Sequence, residues 1–266
     1  MPSFAFLART IPLPARIPAG IPAAMLAIML TGCATPPPAS DPAALADFQA
    51  TNDPLEPTNR FFYKINDGLD TYILRPIAVV YHQIPGGIRR PIHNLLANAS
   101  SPALFANDVL QTRPRRAGDT MMRFLINTTV GVGGLFDVAS GWGYNDHESD
   151  FGVTLALWGE GEGPFLFLPI LGPSNPRDAT GYAGQLALDP FTYATFGGVN
   201  ALRTSRYGLT AVDTRERLLD PIDQVKKTAL DPYATFRSLY RQNRQSQIDE
   251  TRNDNRATVP AWFPPR

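Results

Sequence analysis

Cysteine is almost absent: Cys33 stands alone in 266 residues, so no internal disulfide can form. Histidine is nearly as scarce, with only His82, His93 and His147. No G-x-S-x-G elbow, Walker loop or H-E-x-x-H zinc helix occurs, and the glycines of 131–134 do not meet the dinucleotide fingerprint. An excess of one charge is missing too. The 24 lysines and arginines balance 24 acidic residues, whereas nucleic-acid binders carry a basic surplus. After residue 32 there is no uncharged apolar run of about 18 residues, which excludes a spanning helix. Punctuation is abundant instead. Proline (26) and glycine (21) imply short or interrupted elements, while 44% hydrophobic and 18% charged residues suffice for a sizeable core. The length suits one large domain or two small ones.

The first 32 residues hold Arg9 and Arg16 but no acid, then the apolar run AAMLAIML, a pattern of export signals. Leu30-Thr31-Gly32-Cys33 resembles the bacterial lipobox. That resemblance implies cleavage before Cys33, diacylglycerol on its thiol and a palmitate-type acyl group on the new amino terminus. The alternative is an ordinary signal peptide beside a coincidental cysteine. Several acyl chains anchor a protein stably where one does not. Residues 33–52 then read as an extended, Pro-rich tether. Ala34, not being aspartate, suits delivery to an outer membrane.

Asp-Pro pairs at 41, 53, 189, 220 and 231 are helix-start signals, with aspartate as cap and proline in the first turn. Glu56 strengthens the signal at Asp53. Phe62, Ile65, Leu69 and Tyr72 form one apolar helix face, which Arg75-Pro76 ends or kinks. Ser101-Pro102 opens another helix, and further helices cover 117–128 and 175–188. Residues 213–242 read as helices broken at Pro221 and Pro232. The best strand candidate is 151–158, with a hairpin partner in 165–171. These readings give an all-α domain over 53–242 with an irregular Gly/Pro-rich insertion, followed by a disordered tail over 243–266.

Two charged groups are candidates for chemistry. Asp146, His147, Glu148 and Asp150 offer metal-ligand chemistry, against the plainer reading of a solvated loop. Arg89, Arg90, Arg113, Arg115, Arg116 and Arg123 suit phosphate head groups or an acidic partner, against solvated helix ends. Then comes GEGPFLFLPILGPSNPRD (161–178), seven apolar residues between glycines and prolines.

DPLEPTNRFFYKIN (53–66), LRPIA (74–78), RFLINTTVGVGGLFDVA (123–139) and the segment 151–178 together resemble the VacJ/MlaA lipoproteins. The likeness runs from about residue 53 to 240. It implies an outer-membrane lipoprotein, not an enzyme and without a cofactor or metal. Such proteins remove stray phospholipid from the outer leaflet and pass it to a periplasmic carrier, MlaC, which maintains lipid asymmetry. The implied fold is a ring of amphipathic, Pro-interrupted helices in the inner leaflet, around an amphipathic channel and beside a trimeric porin. Gly159, Gly161 and Gly163 would free a hairpin loop whose Phe165, Leu166, Phe167, Leu168, Pro169, Ile170 and Leu171 face acyl chains or plug the channel. Arg113, Arg115 and Arg116 would meet head groups or a partner. Glu160, Glu162 and Gln185 depart from the family pattern. Two alternatives stay open: a porin-associated scaffold without a conduit, and a lipid hydrolase built on one of the three histidines.

Overall fold

Where proline falls largely decides where helices begin. The computed structural model describes residues 34–254; the signal segment, Cys33 and 255–266 lie outside the described residues. Asp41 caps α1 (Pro42–Thr51), accepting from the Ala44 N–H at 3.0 Å. The expected extended tether is therefore helical over these ten residues.

The helix α2 (Glu56–Leu69) carries the Phe62–Leu69 stripe, but Asp53 does not cap it; that carboxylate is buried elsewhere. Pro76 neither ends nor sharply breaks the run. A π-helical turn, Asp70–Leu74, carries it into α3 (Arg75–His82), and the Arg75 N–H reaches back to the Asp70 carbonyl. A proline ring clashes with the carbonyl one turn back, and the wider π turn absorbs that mismatch.

Ser101-Pro102 likewise fails to open a helix. It lies inside α4 (Gly86–Leu110), which also contains Pro91. The Ser100 and Ser101 hydroxyls donate to the carbonyls of Leu96 and Ala97 in the turn before Pro102, a back-bonding pattern that bends helices. A short link leads to α5 (Pro114–Thr129), which packs along α4, and then to α6 (Val138–Gly141).

The strand expected at 151–158 is a helix, α7 (Phe151–Leu157). Asp150 caps it, accepting from the Val153 N–H at 3.0 Å, and glycine lets it approach α8 (Pro176–Leu188). A Cβ on Gly181 would lie 2.7 Å from the Gly152 nitrogen, so the two backbones touch. Between them, β1 (Leu166–Leu168) and β2 (Gly172–Ser174) form an antiparallel hairpin with Leu166 opposite Ser174.

A 3-10 turn at Pro190–Thr192 precedes α9 (Val199–Arg217), α10 (Leu219–Thr228) and α11 (Pro232–Asn253). The expected break at Pro221 falls instead at Leu218, because Pro221 is tolerated in the first turn of α10. The tail expected from residue 243 is helical to Asn253, and Ile248 and Thr251 are buried in it. The domain is thus all-α apart from one small hairpin.

Burial runs against the usual sorting. Among the described residues, 20 buried side chains are polar or charged and 13 are apolar, five of those being alanine. Meanwhile Ile65, Leu69, Tyr72, Ile73, Ile77 and Val80 lie exposed along α2, the π turn and α3. Large exposed apolar faces mark contact with something apolar. Among the described residues, no helix is long and apolar enough to cross a membrane.

The α7–α8 contact gives a paired prediction. Gly181→Ala should destabilise by about 1–3 kcal/mol through overpacking. Gly208→Ala, inside α9 with open space around it, should stabilise by about 0.5–1 kcal/mol. Thermal melts of both variants check the opposite signs.

Candidate functional site

Three asparagines hold the hairpin. Asn52 donates to the Gly163 carbonyl at 2.6 Å and its own carbonyl accepts from the Phe165 N–H at 2.8 Å. Asn59 donates to the Phe165 carbonyl at 3.0 Å and accepts from the Phe167 N–H at 2.8 Å. Asn66 repeats the pattern, donating to the Leu168 carbonyl and accepting from the Ile170 N–H, each at 2.8 Å. A side-chain amide thereby replaces a missing neighbouring strand. The spacing is right for it. Seven residues of helix advance about 10.5 Å, and three residues of strand advance about 10 Å.

The apolar run divides by depth. Phe165 and Phe167 are buried, packed edge-on against Tyr233 and Tyr63 with centroids 6.2 and 5.5 Å apart. Leu166 and Leu168 are half-buried. Only Pro169, Ile170 and Leu171 stand out at the tip, and Ile170 is 83% exposed. Ile170 has φ 69°, a left-handed conformation costly for a β-branched side chain, which the Asn66 bond helps to hold. The free loop expected here is therefore pinned from Gly163 to Ile170. Gly159 and Gly163 serve the left-handed turns their φ values of 99° and 68° require, while Gly161 shows no such need. Glu162 is paired with Arg241 at 2.7 Å.

Behind the hairpin, α11 presents Tyr233, Arg237, Tyr240 and Arg244 at spacings of four, three and four. Buried Asp53 accepts from Tyr233, from Arg237 at 2.6 Å and from Asn59 at 2.8 Å. Buried Asp178 accepts from Tyr240, Arg177 and Arg244. Burial pushes the Tyr233 and Tyr240 hydroxyls up, and the adjacent carboxylates add to the shift. Burial also works to raise Asp178, but hydrogen bonds from Arg244, Arg177 and Tyr240 outweigh it and hold the carboxyl below its ordinary value.

The second part of the site is a polar cavity of about 380 Å³. His93, Asn94, Ala97, Asn98 and Ser101 of α4 line one side, facing Arg123 and Asn127 of α5. Asp137, the 146–149 loop, Gln185 of α8 and Arg217 of α9 complete the wall. The α4 residues recur at three and four, a mostly polar stripe whose signal in the sequence is this spacing. Gln185 accepts from Asn107 at 2.9 Å, a neutral contact.

The acidic loop does not gather on one point as a set, although Asp146 and Glu148 both line the cavity. Asp146 faces Arg123 at 3.5 Å, His147 bonds Asp108, Glu148 accepts from Gln247, and Asp150 pairs bidentately with Arg244. Among the described residues no cluster of metal-ligating groups occurs. The other two histidines also meet carboxylates, His82 with Glu216 and His93 with Asp213.

The arginine group is mostly internal. Arg89 pairs with Glu216, and Arg123 with Asp137 at 3.2 Å. Arg116 is buried and donates to Asp254, Thr251 and Glu250, so it fastens the end of α11 and is not offered to a head group. Arg113 donates to the Arg252 carbonyl nearby, whereas Arg115 and Arg90 are exposed.

Comparison with known proteins places this arrangement. The family model for the MlaA lipoprotein matches residues 51–247. An uncharacterised protein of Rickettsia bellii is 36% identical over 203 residues, covering 76% of this chain and 78% of its own. The Haemophilus influenzae intermembrane phospholipid transport system lipoprotein MlaA is 34% identical, over 83% of this chain and 86% of its own. A solved structure, from work on the structural basis for maintenance of bacterial outer membrane lipid asymmetry, superposes with a TM-score of 0.65. It is 33% identical and covers 74% of this chain and 98% of its own.

The clamps lead to distinct expectations. Asn59→Ala should cost about 1–3 kcal/mol for each buried hairpin group left unpaired, seen as a lowered Tm. Asn66→Ala, nearer the surface, should lower Tm less yet speed amide exchange at Ile170. Equal exchange at Ile170 in wild type and Asn66→Ala would refute the clamp.

Proposed function

The chain belongs to the MlaA lipoprotein family, and from that premise we propose that it draws mislocalised phospholipid out of the outer leaflet of an outer membrane. Head groups pass through the polar cavity while acyl chains stay against apolar side chains, including Ile170 and Leu171. The lipid goes on to an MlaC-like soluble carrier on the periplasmic side. Acylated Cys33 anchors the protein on that face, beside a trimeric porin. The observation that carries this reading is the distribution of side chains: a polar-lined cavity between α4, α5 and α8, and large apolar side chains exposed along α2 and α3.

Energetics explain why a conduit is required. Exposing two acyl tails, roughly 30 methylenes at ~0.8 kcal/mol each, costs about 24 kcal/mol. A barrier of that size allows an event on the order of once per day. A passage that keeps heads in polar and tails in apolar surroundings removes most of it. No covalent step is involved, so no catalytic residue is needed.

The exposed apolar faces of α2 and α3 also suit a second reading, a porin-bound scaffold with no conduit. Cells lacking the gene separate the two. Complementation with the intact protein should restore low outer-leaflet phospholipid, and Cys33→Ala should not. Ala97→Trp, which fills the cavity from its α4 wall, should also fail while porin association stays normal. Full complementation by Ala97→Trp would favour the scaffold.

A further inference from the structure

The cavity's charges are unevenly committed, and this difference names a head-group class. Most arginines of the chain are consumed by hydrogen-bonded pairs, as Arg244 is by Asp150 and Asp178. Arg217 is the exception in the cavity wall. Its side chain is 51% exposed, and its one ion pair among the described residues, with Asp213, is long at 3.5 Å. Asp213 is already engaged by Tyr81 at 3.1 Å and His93 at 2.8 Å. A guanidinium with five donors is thus open to an anion.

The same cavity holds carboxylates with equally loose partners. Asp146 is 61% exposed and its one ion pair among the described residues is with Arg123, at 3.5 Å. Arg123 is itself held more closely by Asp137, Ser140 and the Tyr144 carbonyl. Glu148 is exposed and accepts a single bond, 3.3 Å, from the Gln247 amide. Two under-used acceptors of this kind suit an ammonium group, which has three donors and no acceptor.

Counted over the lining, Arg123 and Arg217 face Asp137, Asp146 and Glu148. Among these side chains one negative charge is in excess, and the lining histidines His93 and His147 are each bonded to a further carboxylate, Asp213 and Asp108. A purely anionic head would meet Arg217 but be repelled by the remainder. We propose that the cavity selects a zwitterionic head, a phosphodiester bearing a primary amine. Arg217 takes the phosphate, and Asp146 and Glu148 take the ammonium. The proposal rests on the conduit reading above and deepens it, from phospholipid in general to one class of head group.

The test uses the full-length acylated protein in mild detergent, titrated separately with short-chain phosphatidylethanolamine and phosphatidylglycerol. Phosphatidylethanolamine should bind about three- to fivefold more tightly, the scale expected for partly exposed ion pairs. Asp146→Asn with Glu148→Gln should remove that preference by weakening phosphatidylethanolamine alone. Arg217→Gln should weaken both lipids. Equal or tighter binding of phosphatidylglycerol to the unaltered protein overturns the proposal without any variant needing to fold. A preference that survives the double substitution overturns the assignment to these carboxylates. Binding of neither lipid would instead contradict the conduit itself, and the head-group preference with it.

Discussion

An ionised carboxylate removed from water must be paired, and the interior of this protein is arranged around that requirement. Asp53 and Asp178 lie buried on either side of the hairpin, and α11 supplies a tyrosine and an arginine to each. Asp70 does the same work at the π turn, accepting from Arg215 of α9 and Lys226 of α10. Breaking one partner of such a pair leaves an uncompensated buried charge, typically at a cost of several kcal/mol. With alanine filling much of the apolar core, these pairs, rather than large aliphatic contacts, set which helices lie together.

The consequence is an inside-out distribution of chemistry. Polar side chains fill much of the interior, a polar-lined cavity opens between α4, α5 and α8, and large apolar residues appear on the outside. An apolar exterior of this extent has little reason to exist in water. In a lipid leaflet it is the compatible face. The hairpin links the two environments: Phe165 and Phe167 are fixed in the aromatic core, and the same short strand delivers Ile170 and Leu171 to the surface.

Much of this was legible in the residues. Asp41 and Asp231 cap helices as their Asp-Pro pairs imply, Asn175 does so ahead of Pro176, and the Phe62–Leu69 stripe is helical. Periodicity could not say which way that stripe faces, because a 3.6-residue repeat looks the same toward a core or toward lipid. The helix at 151–157 was hidden by an alternating pattern; the cap at Asp150 and the glycine contact to α8 decided it. Pro76 and Pro102 misled for a related reason. Each sits within a helical run, Pro76 just after a π turn and Pro102 inside α4. The Asn59 and Asn66 clamps had a signal, two amides seven apart, but its meaning requires knowing that a strand lies alongside. The charged clusters were the least legible, since Arg116 and His147 acquire their partners only from distant segments.

The most direct measurement asks where water is. In membranes carrying the acylated protein, single substitutions Ala97→Cys in the cavity and Val80→Cys on the exposed face of α3 would be exposed to a charged, membrane-impermeant thiol reagent. A polar interior with an apolar, lipid-facing exterior predicts fast labelling at 97 and protection at 80. Protection at 97 with fast labelling at 80 would mean that the cavity is closed to water and the apolar face is not in lipid, contradicting the arrangement on which the function rests.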